Sequence, residues 1–417
     1  MIHFEKKILD NGLRILVHHD NSSPMASFNL LYDVGSRDED PQKTGFAHLF
    51  EHLMFSGSEN ITSFDEPIQS AGGENNAFTN SDITNYYITL PYNNIEIAFW
   101  LESDRMLSLA FSEKGLEVQR NVVIEEFKQN YLNQPYGDTH LLMRDLVYKV
   151  HPYRWATIGK EISHIENATM DEVKSFFFKH YAPNNAVLSI AGNVNPDEMF
   201  KLAEKWFGDI PRRDVPIRQL PIEPPQTQER VLHVDRDVPV DAIYLAFQSV
   251  ERKDPLFYAQ DIITDILSSG KSSRLTQKLV YGKKIFTQVS AYISGTNDRG
   301  YIAASGKPVP GIDLETARQH LEQELQLMMN EKVSDYELEK VKNRMESALI
   351  MEQMSDLNKA MIIGFYELMG EGFSLQSEIE KFRNVTADDI QKAARQFFRK
   401  ENTSVIYYHS RKPQTSA

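Results

Sequence analysis

The run His48-Leu49-Phe50-Glu51-His52 carries the residues best suited to chemistry. On a helix, His48 and His52 stand at i and i+4, so both imidazoles leave one face and can reach a single metal ion. Glu51 projects beside them, placed to take a proton from water at that metal. The order reverses the commoner His-Glu-x-x-His zinc pattern. Thr44 is expected to cap this helix and Gly57 to end it. Phe46, Leu49, Phe50, Leu53 and Met54 make an apolar stripe at three- and four-residue spacing. Steps of about 100° put the histidines and Glu51 opposite that stripe.

A zinc hydrolase needs a third protein ligand and an open position for water. The chain has no cysteine, which excludes thiolate sites, disulfides and cysteine nucleophiles. The third ligand must therefore be His, Asp or Glu. A later helical stretch, 116–131, carries Glu125 and Glu126, and on pattern alone either could close the site.

The elements around these residues read as two related halves. Thr169 and Thr386 each open a helix with acidic residues in its first turn. A strand follows each helix, Ala186–Ile190 in one half and Ser404–Tyr408 in the other. Leu13–Val17, Ser27–Tyr32, Asn85–Leu90, Val231–Val234 and Ala242–Phe247 also read as strands. Strands next to strands, with helices in separate runs, predict an α+β fold. Each half is expected to be a mainly antiparallel sheet with helices packed on it. The predicted domains are 1–211 and 231–417, joined by a proline-rich linker over 212–230. Aligning Gly57 with Gly270 sets Asp261, Thr264 and Asp265 opposite His48, Glu51 and His52. The second half is then a copy without metal ligands, giving one site per chain.

At 417 residues, 41% hydrophobic and 25% charged, the chain has the composition of a globular protein of two or more domains. The net charge of -14 argues against a nucleic-acid-coating role. No apolar stretch is long enough to span a membrane, and no signal peptide is visible. A cytoplasmic location is expected, or a periplasmic one if a signal has been removed.

Further segments complete a pattern. They are Gly72-Gly73-Glu74-Asn75-Asn76-Ala77-Phe78-Thr79, Leu101-Glu102-Ser103-Asp104-Arg105-Met106, the helix Gln119 to Glu126, His151-Pro152-Tyr153 and Pro183-Asn184-Asn185-Ala186. Together with the histidine motif they resemble the M16 metallopeptidases, relatives of pitrilysin and the mitochondrial processing peptidases. The reversed motif is the inverzincin signature. The resemblance runs over nearly the whole chain and is similar to the short two-domain branch. It implies a zinc endopeptidase of peptides or unfolded polypeptides, with one zinc per chain. It implies Glu126 as the third ligand, Glu51 as general base, and Asn76, Ala77, Phe78 and Thr79 as an edge strand that binds substrate by strand addition. The family usually places an acidic residue where Gln119 stands, seven positions before the ligand glutamate. A charge that would orient the site from behind is missing there.

The family's second domain usually supplies an Arg and a Tyr that hold substrate. Here the aligned positions are Val280 and Thr287, while Arg274 and Tyr281 lie six residues too early. The chain is therefore expected to be the zinc-bearing subunit of a heterodimer, with a homologous partner carrying the Arg and Tyr. Two such chains would enclose a chamber that admits only peptides or unfolded segments. A homodimer or monomer using Arg274 or Tyr281 is the other possibility. The alternative function is a catalytically silent structural or assembly subunit that retains the metal site.

Overall fold

A computed structural model describes residues 2–411. The chain forms two α+β units, each built on one sheet. The first sheet contains β1 (Glu5–Ile8), β2 (Arg14–His19), β3 (Met25–Tyr32), β4 (Glu74–Thr79), β5 (Thr84–Pro91) and β6 (Ala186–Gly192). Their spatial order is β1-β2-β6-β3-β5-β4. The second contains β7 (Arg230–Arg236), β8 (Ala242–Gln248), β9 (Phe286–Ile293), β10 (Tyr301–Pro308) and β11 (Thr403–Ser410), in the order β7-β11-β8-β10-β9.

The two orders match once β1 is set aside. In both sheets one neighbouring pair is parallel, β2 with β6 and β7 with β11, and the others are antiparallel. The duplication extends to the helix before each parallel strand. Met170–His180 and Ala387–Phe397 both open on a threonine capping box, Thr169 with Glu172 and Thr386 with Asp389. The expected repeat is thus a repeat of topology as well as of sequence pattern.

The compact units differ from the expected domains in two exchanges. Residues 130–154 cluster with the second unit and 349–377 with the first. The helix Asp356–Leu368 explains the second exchange. It lies on β3 and β6, and Ile363 joins Ile2, Leu16, Val187 and Phe373 in one apolar cluster of the first unit. Gly364 allows the close approach, because a Cβ there would come 2.7 Å from Ser189 Oγ. Beneath it a buried polar ladder crosses three strands. Asn85 donates to Asn29 at 2.8 Å, and Asn29 donates to Ser189 at 3.1 Å. The first exchange follows from the helix Thr139–Val147, whose Met143 and Val147 share an apolar cluster with Val234, Ala246, Ile406 and Tyr408.

The proline-rich segment contains no regular structure from 211 to 227. Its first part is fastened to the first unit. Arg213 donates to the carbonyls of Tyr181, Met106 and Leu107, and Arg218 pairs with Asp33 and Asp38.

Candidate metal centre

The ligand helix is Phe46–Leu53. Phe46, Leu49, Phe50 and Leu53 are buried, as their spacing predicts. Full burial of each such side chain contributes roughly 1.5–3 kcal/mol, which is what fixes the helix in rotation. Phe50 stacks on Phe176 at 5.1 Å and on Tyr181 at 5.3 Å. His48, Glu51 and His52 occupy the partly open side.

The start of this helix corrects the expected cap. Thr44 does not cap it, because its hydroxyl contacts His164 Nδ1 and accepts the N–H of Lys160. Gly45 precedes the first turn with φ +91, a left-handed conformation that suits glycine. The free backbone donors go to Glu39, whose carboxylate accepts from Gly45 at 2.9 Å, Ala47 at 2.8 Å and the Trp155 indole at 3.0 Å. Burial outweighs these donors and pushes the Glu39 carboxyl up to about 8. The helix ends at Leu53, before Gly57, which has φ +102. The loop beyond it is tied down by Asp104, which accepts from Ser58 Oγ and from the backbone and side-chain amides of Asn60.

The second ligand element is the helix Glu113–Phe127, capped by Ser112. It buries Leu116, Val123, Ile124 and Phe127, which decides between the two carboxylates. Glu125 is 71% exposed and pairs with Lys128. Glu126 turns inward: its Oε2 lies 3.7 Å from His48 Nε2 and 3.4 Å from His52 Nε2. A tetrahedral zinc site with bonds of about 2.0–2.1 Å spaces its donors about 3.3–3.5 Å apart. The three side chains therefore fit a zinc ion, and they form the one group of three or more potential ligands among the described residues.

The charges also fit. Burial, reinforced by the nearby His52, lowers the His48 ring to about 4, so it is neutral at pH 7 and keeps a lone pair for a metal. The His52 ring holds the Glu126 carboxyl below the usual range. Burial raises Glu51, while hydrogen bonding to Thr79 opposes that rise. Among the described residues Nδ1 of His48 is buried with no hydrogen-bond partner. Gln119 does not reach the ligands. Its amide donates to Ser56 Oγ at 2.9 Å.

The remaining expected residues are spread over both units. Asn76, Ala77, Phe78 and Thr79 lie on β4, an edge strand paired only with β5. In the second unit the helix Leu256–Ser268 occupies the equivalent place between β8 and β9. It carries Asp261 and Asp265, and Asp265 pairs with Arg344 at 3.0 Å. An ion pair thus stands where the first unit gathers ligands. Val280 sits in the π-helical turn Thr276–Gly282 and Thr287 on β9. Arg274 is held by both oxygens of Glu337, at 2.7 and 2.8 Å. No helix among the described residues is long and apolar enough to cross a membrane.

Two duplicated α+β units, with a reversed His-x-x-Glu-His helix and a distant glutamate gathered in the first, have the layout of a metallopeptidase fold. The family models for insulinase (peptidase family M16) and for the peptidase M16 inactive domain match residues 14–149 and 167–345, and the chain belongs to the M16 family. It is 27% identical over 413 residues to the zinc protease PqqE of Helicobacter pylori, covering 97% of this chain and 92% of that protein. It is 26% identical over 391 residues to the uncharacterized zinc protease YmxG of Bacillus subtilis, covering 93% and 94%. The crystal structure of a protease from Helicobacter pylori superposes with a TM-score of 0.93 at 27% identity, covering 99% of this chain and 100% of that one.

Proposed function

We propose that this chain is a zinc-dependent endopeptidase that hydrolyses peptides and unfolded polypeptides. The observation that carries the reading is the approach of Glu126 Oε2 to both histidine Nε2 atoms, with Glu51 on the same helix face. His48, His52 and Glu126 would hold one zinc ion per chain. When bound, zinc supplies a Lewis acid that polarises the scissile carbonyl and acidifies water. Glu51 takes the proton from the attacking water and passes it to the leaving amine. The residues Asn76 to Thr79 receive the peptide along the open edge of β4, where backbone pairing suits an extended chain of many sequences. The names of the Helicobacter pylori and Bacillus subtilis relatives support the same chemistry.

The chain is further proposed to be the zinc-bearing member of a heterodimer. Val280 and Thr287 cannot donate to a substrate as an Arg and a Tyr would. Arg274 is engaged by Glu337, which weakens the case for its use as a substitute. A homologous subunit carrying the Arg and Tyr would complete the substrate site.

The test measures cleavage of a quenched fluorescent peptide together with bound zinc, for the chain alone and with homologous candidate partners. One zinc per chain, low activity alone and activity restored by a partner are expected. Full activity of the lone chain would overturn the heterodimer. Absence of zinc binding at the three ligands would overturn the peptidase reading.

A further inference from the structure

The helix Leu314–Asn330 packs on β8, β10 and the helix Ala387–Phe397. Glu315, Arg318, Glu322 and Leu325 recur along it at steps of three and four, so they share one face. Between that face and the end of the second sheet opens a cleft of about 380 Å³, the size of a small-molecule site. Phe247, Leu325 and Phe398 form its apolar floor, with the two rings edge to face at 5.0 Å. Its wall is charged. Arg318 donates from Nε to Glu322 at 2.7 Å, from Nη1 to the Tyr407 hydroxyl at 3.1 Å, and from Nη2 to Glu229. The Tyr407 hydroxyl donates onward to Glu315 at 2.6 Å. All three nitrogens of the guanidinium are thus turned to acceptors within the protein. Glu229 and Glu322 each spend one oxygen on Arg318, and among the described residues nothing bonds the second.

These contacts decide the charge of a ligand. Glu229, Glu315 and Glu322 outnumber Arg318 and the exposed Lys400 in the lining. An anion would meet a guanidinium already committed to the protein, inside a ring of carboxylates. A cation would meet free carboxylate oxygens beside an apolar floor, where charge-assisted hydrogen bonds are stronger than neutral ones. We propose that the cleft binds an organic cation: an ammonium or guanidinium on a short apolar stem. A free amine and the Lys or Arg side chain of a peptide both carry that chemistry. The site lies within the second unit and stands apart from the zinc reading.

The test titrates para-fluorobenzylamine into the full chain and follows its fluorine NMR line. The neutral and anionic controls are para-fluorobenzyl alcohol and para-fluorobenzoate. The amine is expected to bind about tenfold more tightly than either control, and E322Q to weaken it by about the same factor. E315K is expected to lose the amine and to gain para-fluorobenzoate, a gain that misfolding cannot produce. Competition separates the two sources. Displacement of the probe by putrescine supports a free amine, and displacement by acetylated, amidated Gly-Lys-Gly supports a basic peptide side chain. Equal binding of the three probes, no binding of the amine, displacement by neither competitor, or wild-type affinities in both E322Q and E315K would overturn the proposal.

Discussion

Gln119 Nε2 lies 2.9 Å from Ser56 Oγ. Ser56 lies four residues past His52 and Gln119 two turns before Glu126, so this bond ties the turn after the histidine helix to the helix that carries Glu126. A neutral amide here ties the turn after the histidine helix to the Glu126 helix without adding charge behind the candidate ligands. A double-mutant cycle on Q119L and S56A is expected to give a coupling of about 1 kcal/mol in unfolding free energy. Zinc stoichiometry should stay at one in both single variants. Additive destabilisation would show that the clamp contributes nothing.

Replacing Glu51 by a neutral residue of the same shape tests its proposed role as the base. E51Q should retain zinc and secondary structure and lose roughly 10²–10⁴-fold in kcat. Atomic absorption on the purified variant, alongside peptide turnover, checks both halves of that statement.

Glu126, the proposed third ligand, reaches the two histidines from a different helix. E126A leaves only the two imidazoles, and zinc should dissociate on dialysis against a mild chelator that the wild type resists. E125A, on the exposed side of the same turn, should keep its metal. A reversed outcome would mean that the other carboxylate is the ligand.

Glu39 gives the fold a signed response to pH. Its carboxyl is raised to about 8 in the folded chain, against an ordinary value of 4.5. Between these values the unfolded chain releases the proton and the folded chain retains it. This contribution to stability is therefore full below about pH 4.5 and is lost as pH rises through about 8. Melting curves from pH 5 to 8.5 should show a falling component in the wild type that E39Q lacks. Equal slopes for both proteins would contradict the assignment.

The packing of Asp356–Leu368 on the first sheet makes Gly364 sensitive to size. G364A puts a methyl 2.7 Å from Ser189 Oγ, and the forced shift should cost about 1–3 kcal/mol. The paired substitution G364A/S189A should recover part of that loss. Chemical denaturation of the three variants measures it.

The legible part of the site is local. His48, Glu51 and His52 share a face because helical spacing is set by the backbone alone, and the apolar stripe opposite them fixes which face is buried. Glu126 is less accessible from pattern. Its choice over Glu125 depends on Val123, Ile124 and Phe127 packing inward, a tertiary fact. The cap misleads because Thr44 is the type of residue that caps helices, yet its hydroxyl is engaged by His164 and Lys160. Glu39 does that work from outside the motif, and the sequence signal is only an acidic residue a short way upstream. The strands and the duplicated threonine-capped helices are visible, since alternation and capping are near-neighbour effects. The exchange of 130–154 and 349–377 is not. An amphipathic helix shows that it needs an apolar surface without showing which sheet provides it.

The first unit takes in residues 349–377, so its sheet stays partly uncovered while 130–154 and 221–348 of the second unit are being made. On the ribosome the first unit cannot finish its core until residues 349–377 have been made. A chain released before that point would carry His48, His52 and Glu126 in a unit whose sheet lacks the helix Asp356–Leu368 on β3 and β6.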